Sequence, residues 1–135
     1  MIKELRQIVR ITSVDLPGQS QLSLGLGKIK GIGPSFANGI CQVAQMDPRS
    51  KVGELTQDQV QKIEEVIHNP TKFGIPIFML NRRKDFDTGV DKHIITGDLK
   101  LTKEMDVKRH RRIKSYRGSR HASGLPVRGQ RTKSH

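Results

Sequence analysis

The sequence has no tryptophan, a single cysteine and few aromatic residues. Four phenylalanines and one tyrosine in 135 residues are too few for a broad platform on which bases could stack. Cys41 has no partner for an internal disulfide, and its apolar surroundings predict a buried, inert thiol in a reducing compartment. No segment reaches the roughly 20 apolar residues of a membrane span. The start lacks a signal peptide's apolar core, and it carries Glu4 too early for a typical transit peptide. We therefore expect a cytosolic protein.

Acidic residues are absent from the end of the chain. Residues 1–106 contain 15 Lys and Arg against 13 Asp and Glu, whereas residues 107–135 contain 10 Lys and Arg and no acid. The net charge of +12 therefore sits almost entirely in the last 29 residues. Such a segment repels itself and has little apolar surface to bury, so we expect it to order on a polyanionic partner.

The first hundred residues predict a small, mostly α-helical domain. Residues 21–29 have apolar positions at helical spacing, and a second helix begins at Pro34, which suits a first helical turn. A third helix begins after Thr56, where Gln59 completes a capping box. Because only 33% of the residues are apolar, the core shared by these helices is expected to be small.

The remaining segments are predicted to be extended or irregular, apart from one helix. Residues 8–14 are expected to form an extended arm that ends in a turn at 15–18. An irregular or β insert spans about 81–98, within a helical domain of residues 1–100, and a small hairpin is expected over 94–101. A basic helix capped by Thr102 is expected over 101–117, and an extended tail over 118–135.

The basic helix and tail are the first candidate binding site. At helical spacing the cations surround the helix, so phosphates could contact more than one side. Arginine can bind phosphate through two nitrogens or stack on a base, and glycine lets RNA approach the backbone. The alternative is a solvated helix or a localisation signal, which the arginines and interleaved glycines disfavour. The predicted RNA-binding residues here are Lys108, Arg109, Arg111, Arg112, Lys114, Arg117, Gly118, Arg120, His121, Arg128, Gly129, Gln130, Arg131 and Lys133.

A glycine hairpin between the first two predicted helices is the second candidate site. Gly31 and Gly33 flank Ile32 just before Pro34, and backbone N–H groups at a helix start can bind anions. Lys28 and Lys30 would add positive charge. The alternative is a tight turn required only for helix packing, and the two interpretations are compatible. The pattern is not a dinucleotide fingerprint, because no strand precedes it and the third glycine is missing.

Catalytic and metal-binding chemistry is not indicated. The five histidines are scattered without ligand spacing, and Cys41 offers no second thiolate. Asp85 and Asp87 lie in a polar segment without a nucleophile or a base motif. We expect no enzyme activity, no cofactor and no metal, and we interpret His121 as an RNA contact because it follows Arg120.

The tail closely resembles the signature of the ribosomal small-subunit protein thirteen family. The matching residues are Tyr116-Arg117-Gly118-Ser119-Arg120-His121 and Gly124-Leu125-Pro126-Val127-Arg128-Gly129-Gln130-Arg131-Thr132. The glycine hairpin with Phe36 and Ala37 and the segment 53–56 are also similar to that family. Residues 81–85 resemble its archaeal and eukaryotic branch. The resemblance covers nearly the whole chain.

The resemblance implies a helix-two-turns-helix domain that binds small-subunit ribosomal RNA at the top of the small-subunit head. It implies small-subunit protein nineteen as a neighbour, and bridges to large-subunit protein five and large-subunit ribosomal RNA. In the family the extreme C-terminus extends towards the peptidyl-site tRNA. This sequence ends at 132–135, where relatives usually continue with basic residues, so the tRNA contact is not carried over residue by residue.

Two other classes of protein are the alternatives. A DNA-binding or repair module can use a related helical fold, but it would need a catalytic domain with a nucleophilic terminus or lysine, and usually a zinc finger. A secreted or membrane-active basic protein is disfavoured by the lone Cys41 and the missing signal segment. Selective retention on anionic vesicles rather than on RNA would support it.

Overall fold

The computed structural model describes residues 5–133, which divide into two units at Thr96 and Gly97. The described residues contain five α-helices and one two-stranded antiparallel sheet, which confirms the predicted mostly α-helical class. Among these residues, no helix combines the length and the apolar composition required to cross a membrane.

The start of the first unit is a β-hairpin, not the extended arm that the sequence predicts. Strands β1 (Ile8–Ile11) and β2 (Val14–Pro17) pair antiparallel, so residues 15–17 of the predicted turn lie in a strand, and only Gly18 of that prediction lies in a turn. The turn lies at Thr12 and Ser13, whose φ angles are 45° and 63°. Positive φ at both positions is usual for a two-residue hairpin, but Asn-Gly is the usual sequence there. The Thr12 N–H donates to Glu64 Oε1 at 2.8 Å, a long-range contact that the local sequence cannot reveal.

The core of the first unit forms between the sheet and three helices, α1 (Leu22–Leu26), α2 (Pro34–Val43) and α3 (Gln57–His68). Helix α1 packs on α2, and α2 packs on α3. Each large apolar side chain that is fully buried contributes about 1.5–3 kcal/mol. The largest side chains with less than 2% exposure are Ile11, Leu16, Leu22, Leu26, Ile29, Ile40, Cys41, Val52, Ile63, Val66 and Ile67.

Local sequence signals set the starts of α2 and α3, as predicted. Pro34 occupies the first turn of α2, where its missing N–H costs nothing. Thr56 caps α3: its side chain accepts from the Gln59 N–H, and the Gln59 side chain accepts from the Thr56 N–H at 2.9 Å. This capping box satisfies two backbone donors that would otherwise lack helical partners.

Three distant backbone segments meet at one point beside the hairpin. Gly53 N–H donates to the Gly18 carbonyl at 2.9 Å, and Gly18 N–H donates to the Gln7 carbonyl at 2.7 Å. A Cβ on Gly18 would lie 1.7 Å from the Arg6 carbonyl oxygen, and one on Gly53 would lie 2.5 Å from it. Since both contacts are with backbone, no side chain fits at either position.

The insert is irregular and has one β-bridge, between Arg82 and Lys92. This agrees with the predicted irregular or β insert. The hairpin predicted over 94–101 is wrong, because α4 (Thr96–Arg112) already begins at Thr96. Thr102 does not cap this helix, since its hydroxyl donates to the Asp98 carbonyl at 2.7 Å within the helix. The apolar and polar residues of 94–101 give no clear period, which explains the error.

The predicted tail contains a further helix. Helix α5 (Tyr116–Ala122) follows α4 after a short break, so the basic helix ends before residue 117 and the extended tail does not begin at Gly118. Ser115 caps α5, because its side chain accepts from the Gly118 N–H at 3.1 Å. Residues 123–133 have no regular structure, and residues 134 and 135 of the predicted tail lie outside the described residues.

Candidate nucleic-acid interface

Helix α4 is covered with charge and buries none of its side chains. Acidic Asp98 lies in its first turn, whereas Arg109, Arg111 and Arg112 lie in its last turn. This order of charges suits the helix dipole, which is positive at the start and negative at the end. Exposed Lys108, Arg111 and Arg112 leave several sides of the helix accessible to phosphate, as the sequence predicts.

Helices α4 and α5 meet in a corner that depends on Gly118. A Cβ at Gly118 would lie 2.1 Å from the His110 carbonyl oxygen, so only glycine fits there. The Ser115 hydroxyl donates to the same carbonyl at 3.0 Å. Gly118 is buried, and its position supports a packing role. The RNA-contact role predicted for it stays a prediction.

Two of the predicted RNA-binding arginines hold this corner and the following turn. Arg111 Nη2 donates to the His121 carbonyl, and Arg120 Nε donates to the Pro126 carbonyl, each at 3.0 Å. The Arg120 guanidinium also lies 5.9 Å from the centre of the Tyr116 ring, within cation–π range. These two arginines therefore stabilise the fold of the second unit through hydrogen bonds within it.

The turn returns the tail to the helices. The Leu125 N–H donates to the Arg120 carbonyl at 2.9 Å, and Gly124 has a φ of 67°, a left-handed conformation that favours glycine. As a result, Val127 and Arg128 line a recess of about 370 Å³ together with residues of α4 and α5. The other residues that line this recess are Lys103, Asp106, Val107, His110, Arg117 and His121.

The remaining predicted tail residues are exposed and outside any helix. Arg128, Gly129, Gln130, Arg131 and Lys133 are all exposed, and Gly129 has a φ of 69°. Their accessibility is compatible with phosphate contact. Lys114, in the break between α4 and α5, is exposed as well.

The glycine hairpin has two glycines with different roles. Gly31 has a φ of 103°, and a Cβ there would lie 2.6 Å from the Ile94 carbonyl oxygen, so it is needed for packing against the insert. Gly33 has nothing within 4 Å of its would-be Cβ, and it precedes α2 without a side-chain cap. Lys28 and Lys30 are exposed. The hairpin is thus a packing turn at Gly31 and an accessible helix start at Gly33.

His93 docks the insert on the helical domain. Its ring stacks on Phe36, with centroids 3.8 Å apart and planes 11° from parallel, and its Nδ1 accepts from the Asn81 N–H at 3.3 Å. Burial lowers the pKa of His93 below its ordinary 6.5, because the imidazolium would lose water there. Asn81 also pairs with the backbone of Ile94 through both its amide atoms, at 2.6 and 2.9 Å.

Asp85 organises the loop of the insert. Its carboxylate accepts from Arg82 Nε at 2.7 Å, Lys92 Nζ at 3.0 Å and Thr88 Oγ1 at 3.1 Å. The hydrogen bonds from Arg82 and then Lys92 hold the pKa of the Asp85 carboxyl well below its usual range. This role of Asp85 was not predicted, although an acid flanked by basic residues in a short loop is a signal for it in the sequence.

Burial raises the pKa of the Cys41 thiol, and nearby Asp47 adds to the effect. Cys41 is 1% exposed on α2, so the predicted buried thiol is confirmed. Within residues 5–133, no group of three or more His, Cys, Asp or Glu side chains is placed to hold a metal ion. Lys103, His110 and Val127 were not predicted as site residues, because they line one recess only when the tail turns back.

Comparison with known proteins identifies the family of nearly the whole chain. The family model described as ribosomal protein S13/S18 matches residues 10–135. The small ribosomal subunit protein uS13 of Methanocaldococcus jannaschii is 50% identical over 131 residues, which is 97% of this chain and 87% of the relative. The uS13 proteins of Methanosphaera stadtmanae and Hyperthermus butylicus are 48% and 46% identical over 98% and 96% of this chain, and 86% of each relative.

These relatives are archaeal, which agrees with the branch that residues 81–85 resemble. They match the chain through the helical domain, the insert and the basic second unit alike. The chain belongs to the ribosomal protein S13/S18 family and is a structural, non-enzymatic component of the small ribosomal subunit in the cytoplasm.

Proposed function

We propose that this chain binds small-subunit ribosomal RNA at the top of the subunit head, mainly through its second unit. The observation that supports this most strongly is the separation of charge. Ten cations and no acid occupy residues 107–135, on a unit whose long helix buries no side chain. A surface of this kind gains little from packing on protein and much from releasing the counterions of RNA.

The glycine hairpin provides a second RNA contact in this proposal. Lys28 and Lys30 are exposed beside it, and the start of α2 at Gly33 lacks a side-chain cap. Backbone N–H groups at such a helix start favour a phosphate oxygen. Because Gly31 packs against the insert, the RNA would contact Gly33 and the two lysines instead.

Contacts with proteins belong to the first unit in this proposal. Small-subunit protein nineteen is the proposed neighbour, and large-subunit protein five with large-subunit ribosomal RNA forms the proposed bridge. The support is a set of exposed apolar side chains, since Leu24, Ile77 and Phe78 are 65%, 53% and 73% exposed. Residues near the end of the tail are proposed to lie close to the peptidyl-site tRNA. Crosslinking of intact ribosomes followed by mass spectrometry would identify each neighbour.

Sedimentation of a cell lysate through a sucrose gradient tests the proposal. The protein should migrate with small subunits and full ribosomes and should stay there after a high-salt wash. A variant of the protein that lacks its second unit (residues 97–135) should be released from small subunits by the same wash. Sedimentation of the intact protein at the top of the gradient would overturn the RNA-binding proposal and favour the DNA-binding alternative.

A further inference from the structure

The first unit has an exposed apolar turn just before the insert. Ile77 and Phe78 are each more than half exposed in this 3-10 turn, residues 77–79. Neighbouring apolar side chains that remain exposed are a usual sign of an interaction surface. Ile77 also lines a recess of about 350 Å³ at the insert, which we call the insert recess. The residues that line the insert recess are Ile77, Arg83, Lys84 and Asp91.

The apolar turn is held in place from both sides. Ile75 before it and Leu80 after it are buried in the core of the first unit. A Cβ on Gly39 would lie 3.3 Å from Met79 Cε, so the Met79 side chain lies against α2. These anchors leave the other two side chains of the turn at the surface of a packed segment.

The cations of the insert recess belong to a loop with a fixed backbone. The Lys84 N–H donates to Asp91 Oδ1 at 2.7 Å, and Lys84 has a φ of 49°, which is uncommon for a lysine. The backbones of Arg82 and Lys92 pair across the loop at 3.2 and 2.8 Å, and both side chains donate to Asp85. The insert recess is therefore preformed, which reduces the entropy that binding costs.

The charges and the apolar wall together decide the class of ligand. The Arg83 and Lys84 side chains are exposed, and among the described residues that line the recess Asp91 alone is acidic. Two cations against one carboxylate favour an anionic group, and Ile77 favours an apolar group beside it. An RNA phosphate would match the cations but not the aliphatic Ile77. A protein segment supplies both groups from neighbouring side chains.

We propose that the insert recess and Phe78 form a docking surface for an acidic segment of a neighbouring protein. In that segment an Asp or Glu lies beside a large apolar side chain. The carboxylate pairs with Arg83 and Lys84, and the apolar side chain packs on Ile77 and Phe78. This inference rests on the proposed function, which assigns protein contacts to the first unit, and it specifies the chemistry of the partner.

Photo-crosslinking in intact ribosomes tests which molecule covers this surface. Benzoylphenylalanine replaces Phe78, ribosomes that contain the variant are irradiated, and mass spectrometry identifies the crosslinked product. We expect a protein segment with an acid within a few residues of a large apolar side chain. The matched control places the same crosslinker at Met105, which is exposed on α4. That position should crosslink to ribosomal RNA.

A synthetic peptide of the crosslinked segment then tests the charges, by fluorescence anisotropy with the full chain. Arg83→Gln combined with Lys84→Gln should weaken peptide binding about twofold to thirtyfold, because two partly exposed ion pairs are lost. The control pair, Lys108→Gln with Arg112→Gln, removes equal charge from the second unit and should have a clearly smaller effect. Far-UV circular dichroism would check that each variant is folded.

The outcomes separate this inference from the proposed function. A crosslink from position 78 to ribosomal RNA, or none, would overturn the docking surface. A crosslink to a protein segment without acids, or equal losses of peptide binding for the two pairs, would overturn the proposed chemistry while protein contacts of the first unit remain. A crosslink from position 105 to protein rather than RNA would instead count against the proposed RNA-binding function of the second unit.

Discussion

The two units of this chain keep their structure by different means. The first unit contains every large side chain that is fully buried in the described residues, from Ile11 to Ile67. In the described part of the second unit, Gly118 is the only buried residue. Burial of apolar surface stabilises the first unit, while close backbone packing and hydrogen bonds from Arg111 and Arg120 shape the second.

If the second unit binds RNA as proposed, one chain combines a stable domain with a segment whose order depends on its partner. Units with few buried apolar contacts open more readily than units with a packed core. RNA would supply the second unit with the interactions that a core supplies to the first. We therefore expect amide exchange to be slow in α3 and fast in α5 of the free protein, and slow in both when RNA is bound.

Removing charge from the second unit should have the largest effect. Replacing Lys108, Arg112, Lys114 and Arg131 by Gln should weaken ribosomal RNA binding roughly a thousandfold near 0.1 M salt, because four phosphate contacts worth about 0.7–0.9 decades each per decade of salt add up to about three decades. The plot of log K against log salt concentration should also become less steep, because fewer phosphate contacts are made. The control replaces exposed cations of the first unit, namely Arg10, Arg49, Lys51 and Lys72. Equal losses from both sets would contradict a separate RNA-binding unit.

Truncating an apolar side chain should affect the two units very differently. Ile63 in α3 is fully buried, whereas Met105 in α4 is 58% exposed. Ile63→Ala should lower the free energy of unfolding by about 2–5 kcal/mol, since it leaves a cavity. Met105→Ala should change it by less than about 0.5 kcal/mol. Urea unfolding followed by circular dichroism would measure both, and a large loss in Met105→Ala would reveal a core that involves α4.

The glycine hairpin offers a matched pair within the first unit. Gly31→Ala should cost about 1–3 kcal/mol from its backbone conformation alone, and its Cβ would also crowd Ile94. Gly33→Ala should cost less than about 1 kcal/mol, because nothing crowds that position. Thermal unfolding would separate the two. Similar losses would contradict both the conformational cost at Gly31 and its close packing against Ile94.

Adding a methyl group at Gly118 should loosen the second unit without unfolding the first. Overpacking costs about 1–3 kcal/mol, and here the clash is with the His110 backbone. Gly118→Ala should therefore speed amide exchange in α5 and leave α3 unchanged. Exposed Ser119 is the neighbouring control, and Ser119→Ala should leave exchange in α5 nearly as it is.

Acidification should destabilise the first unit slightly through His93. Since burial lowers the pKa of His93 in the folded chain, the unfolded chain takes up a proton first as the pH falls below about 6.5. Stability is then lost from about pH 6.5 down to the folded pKa and changes no further below it. His93→Gln should remove this part of the pH dependence in urea unfolding. If the free energy of unfolding of His93→Gln depends on pH as that of the unaltered protein does, other groups cause this dependence.

Local signals in the sequence predicted those parts of the molecule that depend on near neighbours. The capping box at Thr56, the proline at the start of α2 and the buried face with Cys41 are all confirmed. The hairpin at Thr12 and Ser13 was missed for two reasons. Its turn lacks the usual glycine, and its contact with Glu64 on α3 is too distant in the sequence to be recognised. Helix α5 was missed because its glycine suggested a break, whereas Gly118 allows a close approach.

The candidate site was likewise predicted only in part from the sequence. Sequence composition is enough to locate the cations of residues 107–135 and to indicate RNA as the partner. It cannot show that Arg111 and Arg120 are bonded to carbonyl groups of their own unit. Nor can it place Lys103 and Val127 in one recess, since that depends on the turn at Gly124.

The meeting of Gly18 and Gly53 has a consequence for the order in which the chain folds. Main-chain hydrogen bonds join these glycines and Arg6, although they lie far apart in the sequence. Closing a long loop costs entropy that a few such bonds cannot offset, so these contacts should form late. During synthesis the hydrogen bonds that Arg6 and Gly18 make with Gly53 cannot form until Gly53 has emerged. We therefore expect the β-hairpin to stay accessible to proteases on nascent chains that end before that glycine.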